Sequence, residues 1–475
     1  MRNDYEAVIG LEVHAELLTK TKMFCSCPQQ FGAEPNTLCC PTCLGLPGAL
    51  PTLNRHAVDL AILAGLTTNC QISTYCRMDR KNYFYPDLPK AYQISQLDLP
   101  LCRDGYLTID TAEGRKQIGI ERIHIEEDAG KLIHDASGET LIDFNRCGVP
   151  LIEIVSKPEL RSAEEARAYL LVLRSLLLYA GVSDCKMNEG SLRCDVNLSV
   201  RPRGSSAFGV RTELKNLNSF SFVARAIEYE TERQIRILEE GGRIVQETRR
   251  FDESTGKTLS MRIKENAEDY RYFPEPDLPP IVLSEAHIAS LRASLPRLPD
   301  ERKETYRRDF GLSEYDASQL VSDRPLSDYF EQAAKKTAYR KILANLILTD
   351  LLKLNREERF SCPISPVSMA ELTDLLGEGV INSSTAKKLL SLLWEEDQSP
   401  RALVEEKNLA QIRDEALLCE WIRKMLDENP KLLADYRRGK TAVTKAMTGK
   451  VMAMTGGRAD PVLLERLLQN ALDQT

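Results

Sequence analysis

Three segments in the first half of the chain alternate between apolar and polar side chains, with the period of two that is typical of strands. They span residues 8–17, 191–201 and 210–216. In the first segment the apolar positions are Ile9, Leu11, Val13, Ala15 and Leu17. This pattern favours antiparallel strands that pack one face and leave the other open. We therefore predict an antiparallel sheet whose open face carries the polar residues.

Other segments have the spacing of helices that cover such a sheet. Ser162 and Glu165 form a capping box, and apolar residues follow at helical spacing up to Ala180. Gly181 predicts the end of this helix. Residues 219–240 repeat the pattern less regularly. Both helices are predicted to have a purely structural role.

Breaks in the pattern divide the chain of 475 residues, which is too long for one core. Prolines cluster between Pro274 and Pro299, and a second break falls near Pro400. We predict a mixed region over residues 1–293, a helical region over residues 294–404 and a helical tail over residues 405–475.

The composition is that of an ordinary globular protein, with 43% hydrophobic and 28% charged residues. Neither an apolar run of membrane-spanning length nor an apolar signal segment is present, which predicts a cytoplasmic protein with no membrane partner. The net charge of −7 argues against indiscriminate binding of nucleic acid. A nucleic acid would have to bind a local basic patch.

The predicted open face brings carboxylates together with an imidazole. The candidates are Glu12, His14, Glu127, Glu153 and Asp195. Glu153 interrupts an apolar run, where an ionised carboxylate is costly unless it is paired or metal-bound. Converging carboxylates suit Mg²⁺, which in turn bridges nucleotide phosphates, although imidazole is a less usual ligand for this ion. The alternative is a set of salt bridges to Arg193, Arg211 and Lys215.

A cysteine-rich segment predicts a second metal site. Cys25 and Cys27 are followed by Cys40 and Cys43, and eleven of the 13 cysteines precede residue 195. Without an export signal a disulfide framework is not expected, and two close thiol pairs fit tetrahedral Zn²⁺. Cys39 leaves the register of the ligands open. The alternative is a group of reduced, buried cysteines.

Residues 79–96 interleave aromatic and cationic side chains. Pro86 and Pro89 predict a stiff, irregular loop. Cations beside flat rings suit phosphates and unstacked bases, whereas the alternative is a packed loop with a charged rim. The candidate binding residues are Lys81, Tyr83, Tyr85, Lys90 and Tyr92.

The same segment and a series of ordered motifs resemble the B subunit of the glutamyl/aspartyl-tRNA amidotransferases. Examples are Ile9-Gly-Leu-Glu-Val-His14 and Glu126-Glu-Asp-Ala-Gly-Lys131. Further matching motifs lie at residues 150–155, 189–195, 213–218, 247–252 and 269–277. The resemblance is dense over roughly the first 280 residues and looser beyond them.

The resemblance implies a ligase that forms carbon–nitrogen bonds with glutamine as the amido-nitrogen donor (EC 6.3.5.-). ATP would phosphorylate the side chain of Glu or Asp carried by tRNA(Gln) or tRNA(Asn), and ammonia would then displace phosphate. The chain has no recognisable amidase nucleophile of its own. The implied partners are therefore the amidase, or A, subunit and the small C subunit of a heterotrimer.

The resemblance also implies an α+β fold in which each domain has a separate role. Residues 1–293 would form a cradle with a curved antiparallel sheet related to glutamine synthetase. A helical domain and a small helical tail domain that contacts the tRNA body would follow. Basic residues in that tail are Lys431, Arg437, Arg438, Lys440, Lys445, Lys450 and Arg458.

The implied site roles follow the motifs. Metal and phosphate handling falls to Glu12, His14, Glu127, Glu153 and Asp195, with the first four as Mg²⁺ ligands. Nucleotide phosphates would be bound by Arg193, Arg211 and Lys215, and zinc would be structural. Two other functions stay open: a non-catalytic, zinc-braced tRNA-binding scaffold, and a free-standing ligase acting on small carboxylates.

Overall fold

The computed structural model describes residues 4–134, 138–263, 270–357 and 359–473. Asp269, the first residue of the last family motif, lies outside the described residues. The chain divides into two compact units, Met1–Leu298 and Pro299–Thr475. The predicted division into three regions, with boundaries at residues 293 and 404, stays a prediction.

The described part of the first unit contains short and long strands in a mixed order with helices. The strands are β1 (Tyr5–Glu16), β2 (Gln71–Ile72), β3 (Tyr75–Cys76), β4 (Asp79–Asn82), β5 (Tyr92–Ser95), β6 (Cys102–Thr111), β7 (Gly114–Glu127), β8 (Lys131–His134), β9 (Thr140–Asp143), β10 (Pro150–Ser156), β11 (Leu192–Pro202), β12 (Thr212–Lys215), β13 (Glu247–Asp252), β14 (Lys257–Ile263), β15 (Phe273–Pro274) and β16 (Ile281–Val282). The helices are α1 (Arg55–Thr67), α2 (Ala163–Tyr179), α3 (Phe220–Glu239) and α4 (Glu285–Ser294).

Nine of these strands form one large sheet in the order β14-β13-β12-β11-β1-β10-β7-β6-β2. Adjacent strands are antiparallel except β12 and β13, which are parallel and are connected through α3. The strands predicted from alternation, β1, β11 and β12, are neighbours in this sheet. The predicted α+β class is therefore confirmed, and antiparallel pairing dominates the sheet.

One face of the sheet packs against α1, α2 and α3. The apolar residues of β1 that alternation assigned to this face are buried, from Ile9 to Leu17. Helix α2 begins where the capping box predicts, with the Ser162 hydroxyl accepting a hydrogen bond from the Glu165 amide at 3.1 Å. Gly181 follows the helix with φ of +67°. The polar side chains of these strands alternate with the buried apolar ones and therefore lie on the other face.

The second unit is helical in its described residues. Its helices are α5 (Pro299–Arg308), α6 (Glu314–Leu320), α7 (Arg324–Ala334), α8 (Arg340–Leu346), α9 (Leu352–Leu354), α10 (Pro366–Gly377), α11 (Ser383–Glu395), α12 (Pro400–Glu406), α13 (Glu415–Glu428), α14 (Pro430–Arg437), α15 (Val443–Met454) and α16 (Pro461–Asp473). A π-helical turn at Ile347–Leu351 joins α8 to α9.

The described residues of this unit form two separate buried cores. One is built around Phe330 and Leu389, and the other around Met425 and Leu468. Among the residues that the structure describes, no helix combines the length and the apolar character needed to cross a lipid bilayer.

Candidate functional site

A row of ionisable side chains crosses the open face of the large sheet. His14 on β1 is paired with Glu153 on β10, which is paired in turn with His124 on β7. Side chains at paired positions of antiparallel strands point to the same face. Nε2 of His14 lies 3.4 Å from a Glu153 carboxylate oxygen, and Nε2 of His124 lies 3.2 Å from the same oxygen. Glu153 is therefore held between two imidazoles.

Glu126 completes this cluster, two residues beyond His124 on β7. Its carboxylate oxygens lie 3.4 Å from His14 Nε2 and 3.6 Å from His124 Nε2. The Ser95 hydroxyl donates a hydrogen bond to Glu126 at 3.3 Å. Ligand atoms of His14, Glu126 and Glu153 all lie within 4.8 Å of one another, an arrangement that could hold a metal ion.

The histidines and carboxylates of the cluster shift one another's pKa values. Burial lowers the pKa of His124, but the charge of Glu153 and hydrogen bonds to Glu126 and Glu153 outweigh it and raise the pKa to about 9. Burial raises the pKa of Glu153, yet the His124 and His14 imidazoles hold it well below its usual value. The two imidazoles thus favour the ionised form of Glu153.

Glu127, which the sequence grouped with His14 and Glu153, lies in another environment. Its carboxylate is paired with the Lys90 ammonium and accepts a hydrogen bond from the Ile94 amide at 3.0 Å. Neighbouring residues of a strand point to opposite faces, so Glu126 and Glu127 cannot both face His14. The structure therefore brings Glu126 next to His14 and Glu153 and places Glu127 beside Lys90.

Two further predicted carboxylates lie on the same face beside the cluster. Glu12 on β1 accepts a hydrogen bond from the Asn197 side chain at 2.7 Å. It is paired with Asp195 on the neighbouring strand β11. Burial and the charges of Glu153 and Asp195 raise the pKa of Glu12. Asp195 is bound by the Lys215 ammonium at 2.6 Å. Excess negative charge on this face thus extends beyond the cluster.

The three predicted phosphate-binding cations differ in their surroundings. Lys215 also contacts Glu213 at 3.1 Å. Burial lowers the pKa of Lys215, but the carboxylates of Asp195 and Glu213 outweigh burial and raise it. Arg193 is paired with the buried Asp128 at 2.8 Å. Arg211 precedes β12 and is exposed. The structure therefore places Arg193 and Lys215 in ion pairs on the open face, as the alternative interpretation also requires.

The aromatic segment is a hairpin, not the single irregular loop that its prolines predict. Residues 79–82 and 92–95 form β4 and β5, which pair with each other, while β15 pairs with β4. The irregular loop is confined to residues 83–91. The Arg80 guanidinium binds both oxygens of Glu275, at 2.7 and 2.8 Å, and lies 4.2 Å from the centre of the Tyr92 ring.

The predicted binding residues of this segment differ in their surroundings. The Lys81 ammonium lies over the Tyr83 and Tyr270 rings, at 5.6 and 5.0 Å from their centres. Tyr85 is exposed. Burial, followed by the charge of Glu126, raises the pKa of Tyr83. Because Ser95 at the end of β5 also contacts Glu126, the hairpin borders the carboxylate–histidine cluster.

The four predicted thiols meet in one place. The sulfur atoms of Cys25, Cys27, Cys40 and Cys43 lie within 4.8 Å of one another. Cys39 lies outside this set, and its thiol faces the Asn145 side chain at 3.8 Å. The register that the sequence left open is therefore fixed in favour of the two spaced pairs.

The surroundings of the thiols shift their pKa values in opposite directions. A hydrogen bond from Cys25, helped by the Cys40 amide and the Lys22 charge, lowers the pKa of Cys43 to about 4. Burial raises the pKa of Cys27 to about 11. Four sulfurs converging on one point suit tetrahedral Zn²⁺. The donor set thus fits a closed structural zinc site.

The chemistry of the other donor set fits a harder ion. Two carboxylates and one imidazole from three adjacent strands leave positions open for water or phosphate oxygens. Mg²⁺ and Mn²⁺ accept such ligands, and the imidazole favours the softer of the two. The residues present therefore fit a divalent cation that also binds phosphate.

Two members of this cluster, His124 and Glu126, were missed by the sequence analysis. Ile123 and Ile125 alternate with them and predict that both face away from the core. The acidic motif at residues 126–131 predicted Glu127 as the site residue and did not identify Asp128, which binds Arg193.

Comparison with known families covers most of the chain. A family model described as the GatB/GatE catalytic domain matches residues 7–289. A second model, described as the GatB domain, matches residues 328–472. The carboxylate–histidine cluster and the thiol cluster both fall within the first match.

Curated relatives match the chain over its full length. A protein of Caldicellulosiruptor saccharolyticus is 54% identical over 478 residues, which cover 99% of this chain and 100% of the relative. A protein of Moorella thermoacetica is 51% identical over 475 residues, with the same coverage. Both are named as the B subunit of an aspartyl/glutamyl-tRNA(Asn/Gln) amidotransferase.

Proposed function

The chain belongs to the family of aspartyl/glutamyl-tRNA(Asn/Gln) amidotransferase B subunits, and from this premise we propose that it activates and amidates an amino-acid side chain carried by tRNA. The substrate class is Glu on tRNA(Gln) or Asp on tRNA(Asn). The enzyme class is that of carbon–nitrogen ligases that use glutamine as the amido-nitrogen donor (EC 6.3.5.-).

The proposed reaction has two steps. A side-chain carboxylate oxygen attacks the γ-phosphorus of ATP, which forms an acyl phosphate and releases ADP. The nitrogen of ammonia then attacks the acyl carbon, phosphate leaves, and the nitrogen loses a proton to give the amide. A carboxylate is a poor acyl donor, whereas phosphate is a good leaving group. Activation therefore has to precede amidation.

The observation that carries the proposal is the cluster of His14, Glu126 and Glu153 on the open face of the sheet. A Mg²⁺ ion bound there would neutralise phosphate charge during transfer. His124 lies behind Glu153 and fixes its orientation through the 3.2 Å contact. Glu12 and Asp195 lie beside the cluster, where they add negative charge and retain cations.

The cations and the hairpin are proposed to position the two substrates. Lys215 and Arg193, with the exposed Arg211, are the candidates for nucleotide phosphates, because they border the carboxylates on the same face. The loop at residues 83–91 presents the exposed rings of Phe84 and Tyr85, and β5 at its end contacts Glu126 through Ser95. We assign this loop to the charged end of the tRNA. Such positioning is the main contribution a protein makes to phosphoryl transfer.

The ammonia source and the remaining partners are proposed from the family. Since the chain shows no amidase signature, the amidase, or A, subunit would release ammonia from glutamine, and the small C subunit would complete a heterotrimer. The complex would act in the cytoplasm, where charged tRNA is available. The relatives are named as one subunit of an amidotransferase, which supports this assignment of partners.

The domain roles are part of the same proposal. We assign the nine-stranded sheet and its helices to a cradle related to the glutamine synthetase fold, over residues 1–293. Residues 294–404 would form a helical domain, and residues 405–475 a tail domain that contacts the tRNA body. Separate buried cores around Phe330 and Met425 support a division within the helical part.

The thiol cluster is proposed to bind one structural Zn²⁺. All four ligands come from the segment that precedes α1, and no fifth group of the cluster is needed for the ion. A closed tetrathiolate site braces its loop and takes no part in the chemistry.

ATP hydrolysis that depends on charged tRNA tests the catalytic proposal. In the assembled complex, Asp195→Ala should retain affinity for Glu-tRNA but lose tRNA-dependent phosphate release. Unchanged turnover in this variant would favour the scaffold function, with the chemistry in another subunit. Phosphate release that needs no tRNA would favour a ligase acting on small carboxylates.

A further inference from the structure

A lysine at the thiol cluster is buried completely. Lys22 is 0% exposed, and its ammonium donates a hydrogen bond to the Leu38 carbonyl at 2.8 Å. The same ammonium lies 3.7 Å from the sulfur of Cys43, within the range of an N–H···S hydrogen bond. Lysine is rarely buried to this extent unless it is paired. The sulfur of Cys43 is therefore one of the partners of the buried ammonium.

Lys22 is connected to both halves of the cysteine loop. Its backbone amide donates to the Cys27 carbonyl at 3.0 Å, which ties it to the first thiol pair. Its ammonium reaches the second pair through Cys43 and the loop between the pairs through Leu38. Lys22 thus links the two pairs.

The charges favour this arrangement. Among the ion pairs of the described chain, none joins Lys22 to a carboxylate, and a buried ammonium without a negative partner is strongly destabilising. Four thiolates around one Zn²⁺ leave an excess of negative charge. The backbone amide of Cys40 also donates to the Cys43 sulfur, at 3.1 Å. The ammonium and the thiolates therefore compensate each other's cost of burial.

We propose that Lys22 is a positioning residue of the zinc site, which holds Cys43 in place and neutralises the tetrathiolate through an N–H···S hydrogen bond. This inference rests on the zinc site proposed above and is independent of the reaction on tRNA. Partners that bind metal ligands from outside the coordination sphere contribute substantially to metal affinity. Removal of the ammonium should therefore loosen the metal without removing a ligand.

The test compares Lys22→Met, Lys22→Gln and the control Lys20→Met in the purified full-length chain. Lys20 lies two residues away and is exposed. The readouts are zinc per chain and the rate of zinc transfer to a chromophoric chelator. We expect transfer from Lys22→Met to be about 10- to 100-fold faster than from the wild type. Lys22→Gln keeps donors without charge and should be intermediate, and Lys20→Met should match the wild type.

A second measurement keeps the test decisive if the Lys22→Met variant folds poorly. Circular dichroism of each sample reports folding, and cobalt-loaded wild type and Lys22→Gln are compared by their thiolate-to-cobalt absorption. A shift of that absorption supports the N–H···S bond. The inference would be overturned if Lys22→Met and the wild type transferred zinc to the chelator at equal rates and the cobalt spectrum of Lys22→Gln matched that of the wild type. Wild-type protein without zinc would overturn the zinc site itself and leave the tRNA-dependent reaction untouched.

Discussion

His14 and Glu153 face each other across two antiparallel strands, with Nε2 of the histidine 3.4 Å from the carboxylate. Neither residue comes from a loop, so the backbone of the sheet fixes their separation. Sites built on strands hold their geometry more precisely than sites built on loops. The sheet therefore fixes the geometry of the proposed metal site.

Replacement of this carboxylate tests its role directly. Glu153→Gln keeps the size of the side chain and removes the charge, so we expect tRNA-dependent ATP hydrolysis by the complex to fall on the order of 10²-fold or more. Glu164→Gln on the exposed first turn of α2 is the matched control and should retain wild-type turnover. Equal activity of the two variants would contradict the placement of the metal site.

The thiol cluster permits a comparison between neighbouring cysteines. Cys43→Ser removes a ligand, so the purified variant should lose its zinc and unfold at a lower temperature. Cys39→Ser removes a thiol outside the cluster and should retain about one zinc per chain. Elemental analysis and thermal unfolding measure both effects. Zinc in the Cys43→Ser protein and none in Cys39→Ser would mean that the register is different.

A buried ion network holds α3 against β13 and predicts a pH-dependent stability. Arg249 lies 3.4 Å from the fully buried carboxylate of Glu230 and 2.7 Å from Glu247. Arg249→Met removes one of the two guanidinium groups that pair with these carboxylates and leaves Arg233 as the other. We expect it to reduce the free energy of unfolding by about 1–3 kcal/mol at pH 7, measured with urea. Arg250→Met, at the adjacent exposed position, should have little effect.

The sign of the pH dependence follows from Glu247. Burial alone would raise its pKa, but hydrogen bonds from Ser260 and Arg249 lower it below the ordinary value of 4.5. Its stabilisation is therefore present above pH 4.5 and is lost as the pH falls through the lower, folded-state pKa. The difference between wild type and Arg249→Met should accordingly shrink in acid. A difference that grows in acid would contradict the pairing.

The tail tests the proposed contact with the tRNA body. Lys445 and Lys450 lie on α15 and are exposed. If they neutralise phosphates, the double change to alanine should weaken tRNA binding and reduce the salt dependence of the affinity, as measured by titration at several salt concentrations. Lys336→Ala, at an exposed position outside the tail, is the control. An unchanged salt dependence would mean that Lys445 and Lys450 face solvent and do not contact tRNA phosphates.

The sequence predicted the parts of the site that follow simple alternation. Val13 and Val196 are buried and mark the core face, so His14 and Asp195 fall on the open face as expected. Alternation does not run through the whole of β7, where the pairing register shifts opposite Val155 and Ser156. Buried isoleucines lie at even positions before the shift and at odd positions after it, namely Ile118, Ile120, Ile123 and Ile125. Such a bulge depends on tertiary pairing, so the pattern before it does not predict the face of Glu126.

Long-range contacts were the other limit. The bond between Arg80 and Glu275 joins segments almost two hundred residues apart, and with it the hairpin gains a third strand from β15. No local pattern around residue 80 indicates that partner. By contrast, the thiol pairs were predictable because metal ligands have characteristic local spacing, and only the choice between Cys39 and Cys40 required coordinates.

The position of β1 in the middle of the large sheet has a consequence for synthesis. β1 lies between β10 and β11, and the latter is made roughly 180 residues later, which takes about 10 to 40 s at the usual rates of translation. For most of that interval β1 lacks both of the strands that flank it in the sheet, and its apolar face is exposed. The nascent chain should therefore depend on chaperones until Pro202 has left the ribosome, and ribosome-bound chains arrested before β11 should be readily cleaved by protease.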